Sequence, residues 1–344
     1  MTKFASTLVA WQRRHGRKDL PWQGTRDPYR IWLSEIMLQQ TQVAAVIPFY
    51  ERFLRRFPTL EALSKADENE VLRLWSGLGY YARGRNLHAA AKQIASRGTF
   101  PDTQEKISEL PGIGRSTAAA IAVFAFGRRA AILDGNVKRV LARRFGIEGF
   151  PGERAVETRL WKLAESLVPK RNVNAYTQGL MDLGATVCTK RQPRCGDCPV
   201  RRSCIARREG RTHELPAPRP KKAIPLKQAT WLVLLKGGEV LLERRPSSGL
   251  WGGLWTFPET SEKDLAAYCR RALGYAIGAT RKLEPLEHGF THFRLRVQPV
   301  VCEMRKPGLR AEAPGRLWLD LAAARSAAIP APVRALLARL SAGN

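Results

Sequence analysis

Apolar residues recur at helical spacing through the first two thirds of the chain. From about residue 29 to residue 144 they return every three or four positions, and breaks fall at Pro58, Pro101 and Pro111. No segment before residue 226 alternates between apolar and polar positions as a half-buried strand does. The pattern therefore predicts a mostly helical region.

Two segments illustrate the helical pattern. "DENEVLRLW" begins with Asp67 and has Glu70 three residues later, a combination typical of a capped helix start. "AVETRLWKLAESLVP" has an apolar face and ends at Pro169, where a helix cannot easily continue.

The pattern changes after residue 204. Residues 205–227 contain four prolines and many basic residues, which predicts a semi-extended linker. Beyond it, "ATWLVLLKGGEVLLERRP" predicts a β-hairpin that turns at 236–239, "SEKDLAAYCRRALGY" a helix and "FRLRVQPVV" a strand. We therefore expect a helical domain over 1–204, a linker over 205–227 and a smaller α/β domain over 228–344.

The segment "LPGIGRSTAAA" joins small residues to the start of an Ala-rich helix. Glycine allows positive φ and close backbone approach, here at Gly112 and Gly114. A helix start leaves backbone N–H groups that can hold an anion. Together these features predict a hairpin between two helices that grips a phosphate.

Charge points to the same kind of partner. Among 344 residues, 58 are Lys or Arg and 30 are Asp or Glu, a formal net charge of +28. Such an excess favours a polyanion, of which nucleic acid is the leading candidate, although a basic surface can also serve solubility alone. No apolar run is long enough to span a bilayer and the N-terminal apolar stretch is too short for a signal peptide, so we expect a cytoplasmic protein without a membrane partner.

Four of the six cysteines form a cluster with the spacing C-x6-C-x2-C-x5-C. They are Cys188, Cys195, Cys198 and Cys204. In a reducing compartment such a cluster indicates a metal site and not a disulfide framework. Zinc sites usually pair two C-x2-C knuckles, and only one is present, so the spacing favours a [4Fe–4S] cluster with zinc as the alternative. Cys269 and Cys302 lie outside the pattern and are expected to be buried core residues.

Two carboxylates are candidates for chemistry. Glu35 lies among apolar helical neighbours in "IWLSEIMLQQTQV", where burial would raise its pKa and keep it able to donate a proton. Asp134 follows an apolar run in "AAILDGNVKRVLARR" and precedes a helix start, where a simple N-cap is the competing interpretation.

The motifs together resemble a known family. The chain is similar to the helix-hairpin-helix base-excision glycosylases, in which an essential Asp follows the hairpin by about 20 residues. It most resembles the adenine DNA glycosylases (the MutY family), through "SEIMLQQTQV", "LWSGLGYYARGRNL", "LPGIGRSTA", "ILDGNVKRVLAR", "RRPSSGLWGGLWTFP" and the cysteine loop 188–204. The resemblance runs from about Leu20 to Phe293. It implies an all-α glycosylase domain with a [4Fe–4S] loop, followed by a Nudix-like α/β domain.

The resemblance also implies roles for individual residues. Glu35 would protonate adenine, and Asp134, kept ionised at a helix start, would stabilise the cationic sugar. The adenine pocket would be lined by Leu20, Trp22 and Gln178. Contacts to the DNA near the lesion would come from Gln40, Thr41, Tyr80, Gly112, Gly114 and Ser116.

Position 116 bears on the type of reaction. In bifunctional relatives a lysine at this position forms a Schiff base with the sugar, and Ser116 cannot supply that amine. We therefore expect hydrolysis of the N-glycosidic bond that stops at an abasic site.

The C-terminal region resembles Nudix hydrolases, but its helix lacks the clustered glutamates that hold Mg²⁺ in the active enzymes. It should recognise 8-oxoguanine without hydrolysis. The family's F-S-H loop corresponds here to Phe290, Thr291 and His292, and threonine keeps the hydroxyl while adding a methyl group.

The expected substrate is duplex DNA with adenine mispaired with 8-oxoguanine or guanine, and the expected enzyme is monomeric. One alternative is a related glycosylase for thymine or uracil opposite guanine, against which the C-terminal domain argues. The other is a non-catalytic iron–sulfur DNA-binding protein, against which the presence of both Glu35 and Asp134 argues.

Overall fold

The computed structural model describes residues 2–220, 223–290, 292–304 and 314–342. The chain forms two compact units. The first comprises Met1–Lys65 and Asn86–Lys221, and the second comprises Ala66–Arg85 and Lys222–Asn344. The predicted boundaries at 204 and 228 stay predictions, but the grouping of Ala66–Arg85 with the C-terminal part was not expected from the sequence.

The chain is helical up to residue 208, as the apolar spacing predicted. The α-helices are α1 (Lys3–His15), α2 (Pro28–Leu38), α3 (Val43–Arg56), α4 (Leu60–Ser64), α5 (Glu68–Trp75), α6 (Ala82–Arg97), α7 (Gln104–Ser108), α8 (Arg115–Phe126), α9 (Gly135–Phe145), α10 (Arg154–Leu167), α11 (Val173–Asp182) and α12 (Ile205–Arg208). A π-helix (Leu183–Val187) follows α11, and a short 3₁₀ helix (Arg201–Ser203) precedes α12.

Side-chain caps explain where several of these helices begin. Asp67 accepts a hydrogen bond from the backbone N–H of Asn69 at the start of α5, as its sequence context predicted. Asp27 caps α2 in the same way, and Pro28 occupies the first turn, where its missing N–H costs nothing.

The core of the first unit is built around α8. This helix is Ala-rich and buries residues on almost every side, and it packs against α2, α7 and α11. Small side chains allow these neighbours to approach closely, and α1, α9 and α10 complete the same core.

The predicted linker is only partly extended. Its first residues form α12, and Ala206 and Leu215 are buried. Its last residues already belong to the first strand, which begins at Leu226. The prediction of a semi-extended segment is therefore wrong for Ile205–Arg208, which is helical, and the burial of Ala206 and Leu215 holds this part of the segment in the helical unit.

The second unit contains one mixed sheet. Its strands are β1 (Leu226–Lys236), β2 (Glu239–Arg244), β3 (Trp255–Thr256), β4 (Glu259–Thr260), β5 (Ile277–Lys282), β6 (Leu286–Gly289), β7 (Arg294–Met304) and β8 (Arg316–Asp320). The main path is β3-β2-β1-β7-β5, with β4, β6 and β8 pairing to β1, β7 and β2. The β1–β2 hairpin closes at Lys236 and Glu239 as predicted, and β1 runs parallel to β7.

Both faces of this sheet are covered. Trp231 and Val233 of β1 enter one apolar cluster, and the alternate residues Leu232 and Leu234 enter another. Alternation of side chains along a strand explains this division. The helices of this part are α13 (Leu265–Tyr268), the π-helix Cys269–Leu273, α14 (Leu321–Ser326) and α15 (Ala331–Ala342).

The helix predicted over "SEKDLAAYCRRALGY" is shorter than expected. Asp264 caps α13, and the helix changes to π geometry at Cys269. Cys269 and Cys302 are fully buried, as predicted. Within the described ranges, no helix is long and apolar enough to cross a membrane.

Candidate active site and cysteine loop

A cavity of about 540 Å³ opens in the first unit between α1, α2, α8 and α11. It is lined by Gln12, Arg17, Lys18, Trp22, Gln23, Gly24, Thr25, Arg26, Ile31, Ser34, Glu35, Phe124, Asn174, Ala175 and Gln178. Three residues singled out in the sequence therefore meet in one space, although Gln178 lies 143 positions from Glu35. Its size suits a small planar ligand such as a base.

Glu35 is the acidic residue of this cavity. It lies on the third turn of α2, between the buried residues Ser34 and Ile36. Burial, with a smaller contribution from the negative charge of Asp134, raises the pKa of Glu35 to about 8. Most of the Glu35 carboxyl is therefore protonated at neutral pH and can donate a proton, as the sequence predicted.

Asp134 is the N-cap of α9. Its Oδ1 accepts a hydrogen bond of 2.8 Å from the backbone N–H of Val137. Burial raises the pKa of Asp134, and the backbone N–H groups of Val137 and Asn136 and the charge of Arg139 oppose this rise. The expectation that the helix start alone keeps Asp134 ionised is thus incomplete, because burial acts in the opposite direction.

A buried carboxylate that the sequence analysis missed organises one wall of the cavity. Asp182 is 1% exposed and its Oδ1 accepts hydrogen bonds from Arg17 Nε (2.7 Å) and Gln178 Nε2 (2.9 Å). The backbone N–H of Arg17 donates to Asp182 Oδ2 at 3.1 Å. This hydrogen bond fixes the orientation of the Gln178 amide group at the wall of the cavity. The four-residue spacing of Gln178 and Asp182 on one helix is the signal that could have indicated this pair.

The loop before α2 supplies the aromatic wall. Trp22 is buried and packs edge-on against Tyr50 with ring centroids 5.4 Å apart. Leu20 lies two residues earlier, in a turn where the N–H of Gln23 donates to its carbonyl. Leu20 is not among the described residues that line the cavity, so its predicted contact with a base is not part of this arrangement.

The predicted hairpin connects α7 and α8. Gly112 has φ of +76°, and a Cβ there would lie 2.7 Å from the Asn86 Cβ, so a larger residue does not fit. Gly114 is the N-cap of α8 with φ of −86° and open space around it. Positive φ is therefore required at the first glycine only.

Ser116 lies in the first turn of α8. Its Oγ accepts a hydrogen bond of 2.9 Å from the backbone N–H of Leu133, the residue before Asp134. This contact brings position 116 beside the candidate catalytic aspartate. The resemblance implied this proximity, and composition alone did not.

Gln40 and Thr41 lie between α2 and α3. Gln40 is exposed with φ of +56°, an unusual conformation for a residue other than glycine. Thr41 Oγ1 donates to the carbonyl of Gln39 at 3.3 Å. The side chain of Gln39 donates in turn to the Gly112 carbonyl (3.4 Å), which connects this loop to the hairpin.

Tyr80 belongs to the second unit, where it is 51% exposed with φ of +49°. The guanidinium of Arg83 lies 5.3 Å from the centroid of its ring. Such exposure of a large aromatic ring at a strained backbone position is unusual for a residue with only a packing role.

The other predicted lesion contacts follow β6. His292 is exposed, and Thr291 lies outside the described residues. The rings of Phe290 and Phe293 stack with centroids 4.5 Å apart, and the Phe290 N–H donates to the Phe293 carbonyl at 2.8 Å. The exposed His292 therefore lies beside this pair of stacked rings.

The four clustered cysteines line one cavity in the first unit, and their predicted binding of a metal group stays a prediction. Arg143 of α9 is 3% exposed and braces this loop. It donates hydrogen bonds to the carbonyl oxygens of Thr189 (2.6 Å), Lys190 (3.0 Å) and Leu215 (2.8 Å) and to Cys188 Sγ (3.5 Å). Arg139 also donates to the Cys188 carbonyl (2.7 Å) and to the Asn136 side chain (2.8 Å), which connects the loop to the turn after Asp134.

The donor set of this cavity can be compared with the two metal groups that its spacing allows. A cubane distributes four thiolates over four irons, whereas zinc takes four ligands that converge on one ion. Four cysteines around one space match an iron–sulfur cluster in donor type and number.

Comparison with known proteins agrees with this architecture. Residues 33–166 match the model of the HhH-GPD superfamily of base excision DNA repair proteins, and residues 230–339 match the NUDIX domain model. Among solved structures, a thermostable thymine-DNA glycosylase is 33% identical and superposes with a TM-score of 0.55 over 60% of this chain and 95% of that one. A complex of endonuclease III with DNA, 20% identical with a TM-score of 0.51, shares the fold over 60% of this chain.

The curated relatives extend over both parts of the chain. The adenine DNA glycosylase of Buchnera aphidicola (Acyrthosiphon pisum) is 36% identical over 98% of each chain. The human adenine DNA glycosylase is 34% identical over 96% of this chain and 72% of its own. The chain therefore belongs to the adenine DNA glycosylase family, and it is a DNA glycosylase of base-excision repair.

Proposed function

We propose that the enzyme removes adenine mispaired with 8-oxoguanine or guanine in duplex DNA, by hydrolysis, and leaves an abasic site. The observation that carries the proposal is Glu35. It is a carboxyl with a pKa of about 8 in a base-sized cavity that Trp22 and Gln178 also line.

The reaction begins with extrusion of adenine from the stack into this cavity, which costs least at a mispair. Gln178 is oriented by Asp182, so its amide oxygen can accept from the adenine amino group. Trp22 supplies an apolar surface for the ring.

Glu35 then gives its proton to N7 of adenine, and the N-glycosidic electron pair leaves with the base. The departing adenine is neutral, and positive charge develops on the sugar. The Asp134 carboxylate stabilises that cation, and the ionised Glu35 takes a proton from the attacking water. The products are free adenine and an abasic sugar, and Glu35 is protonated again.

The reaction stops there because no amine nucleophile is present at position 116. The Ser116 hydroxyl already accepts a hydrogen bond from Leu133 N–H, so its role is to hold the loop before Asp134. We therefore propose a monofunctional glycosylase.

We propose that Cys188, Cys195, Cys198 and Cys204 bind a [4Fe–4S] cluster, which proteins of this family generally carry. When bound, the cluster fixes the loop 188–204 and its exposed basic residues, which suit phosphate contacts. Arg143 donates hydrogen bonds to carbonyl groups of this loop, which explains why an arginine is buried beside it.

Recognition of 8-oxoguanine is proposed for the C-terminal domain. His292 is exposed beside the stacked rings of Phe290 and Phe293, and Thr291 precedes it in the sequence. The Aeropyrum pernix thymine-DNA glycosylase, 37% identical over 58% of this chain, makes removal of thymine the alternative against which the adenine assignment is tested.

Single-turnover excision from one duplex series would test the proposal. The series carries adenine opposite 8-oxoguanine, guanine or thymine, and thymine or uracil opposite guanine, in the same sequence and salt. We expect excision of adenine opposite 8-oxoguanine to be fastest and product strands to break only after alkali. Preferential removal of thymine or uracil would refute the adenine assignment, and absence of any excision would support a non-catalytic DNA-binding protein.

A further inference from the structure

The loop that carries Tyr80 is held by the C-terminal part of the chain. We define the Tyr80 loop as residues 76–81, between α5 and α6. Ser76 Oγ donates to the Ile329 carbonyl at 3.0 Å, and Tyr81 OH donates to the same carbonyl at 3.3 Å. Arg334 of α15 donates to Ser76 Oγ at 2.8 Å. Both ends of the loop are therefore fixed to one carbonyl group.

The flanking residues are fixed in the same way. Leu72 of α5 is fully buried in the cluster that contains Trp231 of β1. Glu68 pairs with Arg244 at 3.3 Å, and Arg85 donates to the Gly252 carbonyl. The whole segment 66–85 thus packs as part of the C-terminal unit.

The loop itself has little freedom. Positive φ occurs at three positions of the loop, Gly77, Gly79 and Tyr80, and only glycine adopts this conformation without steric strain. Arg83 donates to the carbonyl groups of Leu78 and Gly79 at 3.2 Å each and lies against the Tyr80 ring. A strained conformation at Tyr80 persists only where its surroundings enforce it.

We propose that Arg334 and Ile329 position Tyr80 for its insertion at the mispair. Through them the C-terminal domain supports the opening of every adenine mispair, separately from its reading of 8-oxoguanine. Arg334 is a positioning residue in this scheme, because it acts on the Tyr80 loop through Ser76. The inference rests on the proposed function, in which Tyr80 enters the opened duplex.

The test measures affinity for duplexes in which 2′-fluoro-2′-deoxyadenosine replaces the target adenosine, because this sugar resists cleavage. Two ratios are determined. One is the affinity for the duplex with the guanine mispair, the other is the affinity for the duplex with the 8-oxoguanine mispair, and each is divided by the affinity for the duplex with a matched thymine pair. Arg334→Ala should lower both mispair ratios alike, by about fivefold, the worth of one ordinary hydrogen bond. Arg334→Lys, which keeps a charged donor, should recover most of the loss.

Three controls separate positioning from general damage. Arg339→Ala removes an exposed arginine of the same helix and should leave both ratios unchanged. His292→Ala should lower the 8-oxoguanine ratio only. Ser76→Ala removes the contact from the other side, so it replaces Arg334→Ala if that variant melts early.

A double-mutant cycle decides whether Tyr80 carries the effect. In a Tyr80→Ala background, Arg334→Ala should have no further effect on either ratio. Unchanged ratios in both Arg334→Ala and Ser76→Ala, or effects that simply add to that of Tyr80→Ala, would overturn the inference. A wild type that excises no adenine would instead refute the proposed function, whatever the variants do.

Discussion

Replacement of Glu35 by glutamine tests the proton donor, because the amide has a similar size and no acidic proton. The pKa of about 8 means that about nine tenths of wild-type molecules carry the proton at pH 7. The excision rate should therefore be nearly flat below this pKa and fall about tenfold for each pH unit above it. Glu35→Gln should show no measurable excision at any pH.

Glu35→Gln should abolish excision but increase the stability of the folded protein. A carboxyl with a raised pKa in the folded protein binds its proton more tightly than in the unfolded chain, whose value is near 4.5. The free energy of unfolding of the wild type thus falls as pH rises between these two values. The accumulated loss at pH 7 is at most about 3.4 kcal/mol, since each pKa unit corresponds to about 1.36 kcal/mol.

Two measurements on the same preparations check this reasoning. Single-turnover excision as a function of pH gives the first, and urea unfolding at about pH 5 and pH 8 gives the second. Glu35→Gln should be more stable than the wild type at the higher pH, and the difference should shrink at the lower one. A variant that excises at nearly the wild-type rate, or a wild-type rate that rises above pH 8, would refute the role of Glu35.

Four further substitutions test other parts of the site. Asp134→Asn should slow single-turnover excision by about 100-fold or more while leaving duplex affinity intact, because a neutral amide cannot stabilise the sugar cation; unchanged rates would remove it from catalysis. Asp182→Asn should cost about 3 kcal/mol of unfolding free energy in urea titrations, because it breaks a buried charge pair with Arg17. It should also reduce the preference for adenine over purine, which lacks the amino group, because Asp182 orients Gln178. Ser116→Lys should yield a DNA adduct trapped by borohydride and visible on a denaturing gel, and lack of an adduct would place the new amine away from the sugar. Arg143→Met should cost about 3–5 kcal/mol of unfolding free energy, because it leaves several loop carbonyls unpaired. If the proposed cluster is bound, its visible absorption should also bleach at a lower temperature in this variant.

Local features of the fold could be predicted from the sequence. Asp67 and Asp134 cap helices because a carboxylate can accept from the first-turn N–H groups, whatever the rest of the chain does. The β1–β2 hairpin follows from two glycines between apolar runs. The raised pKa of Glu35 follows from its apolar neighbours, since burial makes the largest contribution to the shift.

Features that depend on distant partners could not be predicted. Asp182 pairs with Arg17 across 165 positions, and although the i, i+4 spacing could have indicated the contact of Asp182 with Gln178, nothing in the local sequence indicates Arg17 as its partner. The segment 66–85 has an ordinary helical pattern, yet its apolar face completes the core of the C-terminal unit. A truncation at residue 226 would expose the fully buried Leu72, so His292→Ala is the better probe of lesion recognition.

In the proposed mechanism Glu35 serves first as acid and then as base. Burial, with a smaller contribution from the charge of Asp134, raises the pKa of Glu35, so that Glu35 would hold a proton when adenine arrives. After the proton has moved to the base, the same repulsion and the same burial make the Glu35 carboxylate a stronger base than an ordinary glutamate. A conjugate acid near pKa 8 then favours removal of a proton from the attacking water, which returns Glu35 to its starting state. Asp134→Asn would remove this repulsion, so the alkaline fall of the excision rate should move to lower pH as well as the rate decreasing. An unshifted pH profile would show that burial alone sets the pKa of Glu35.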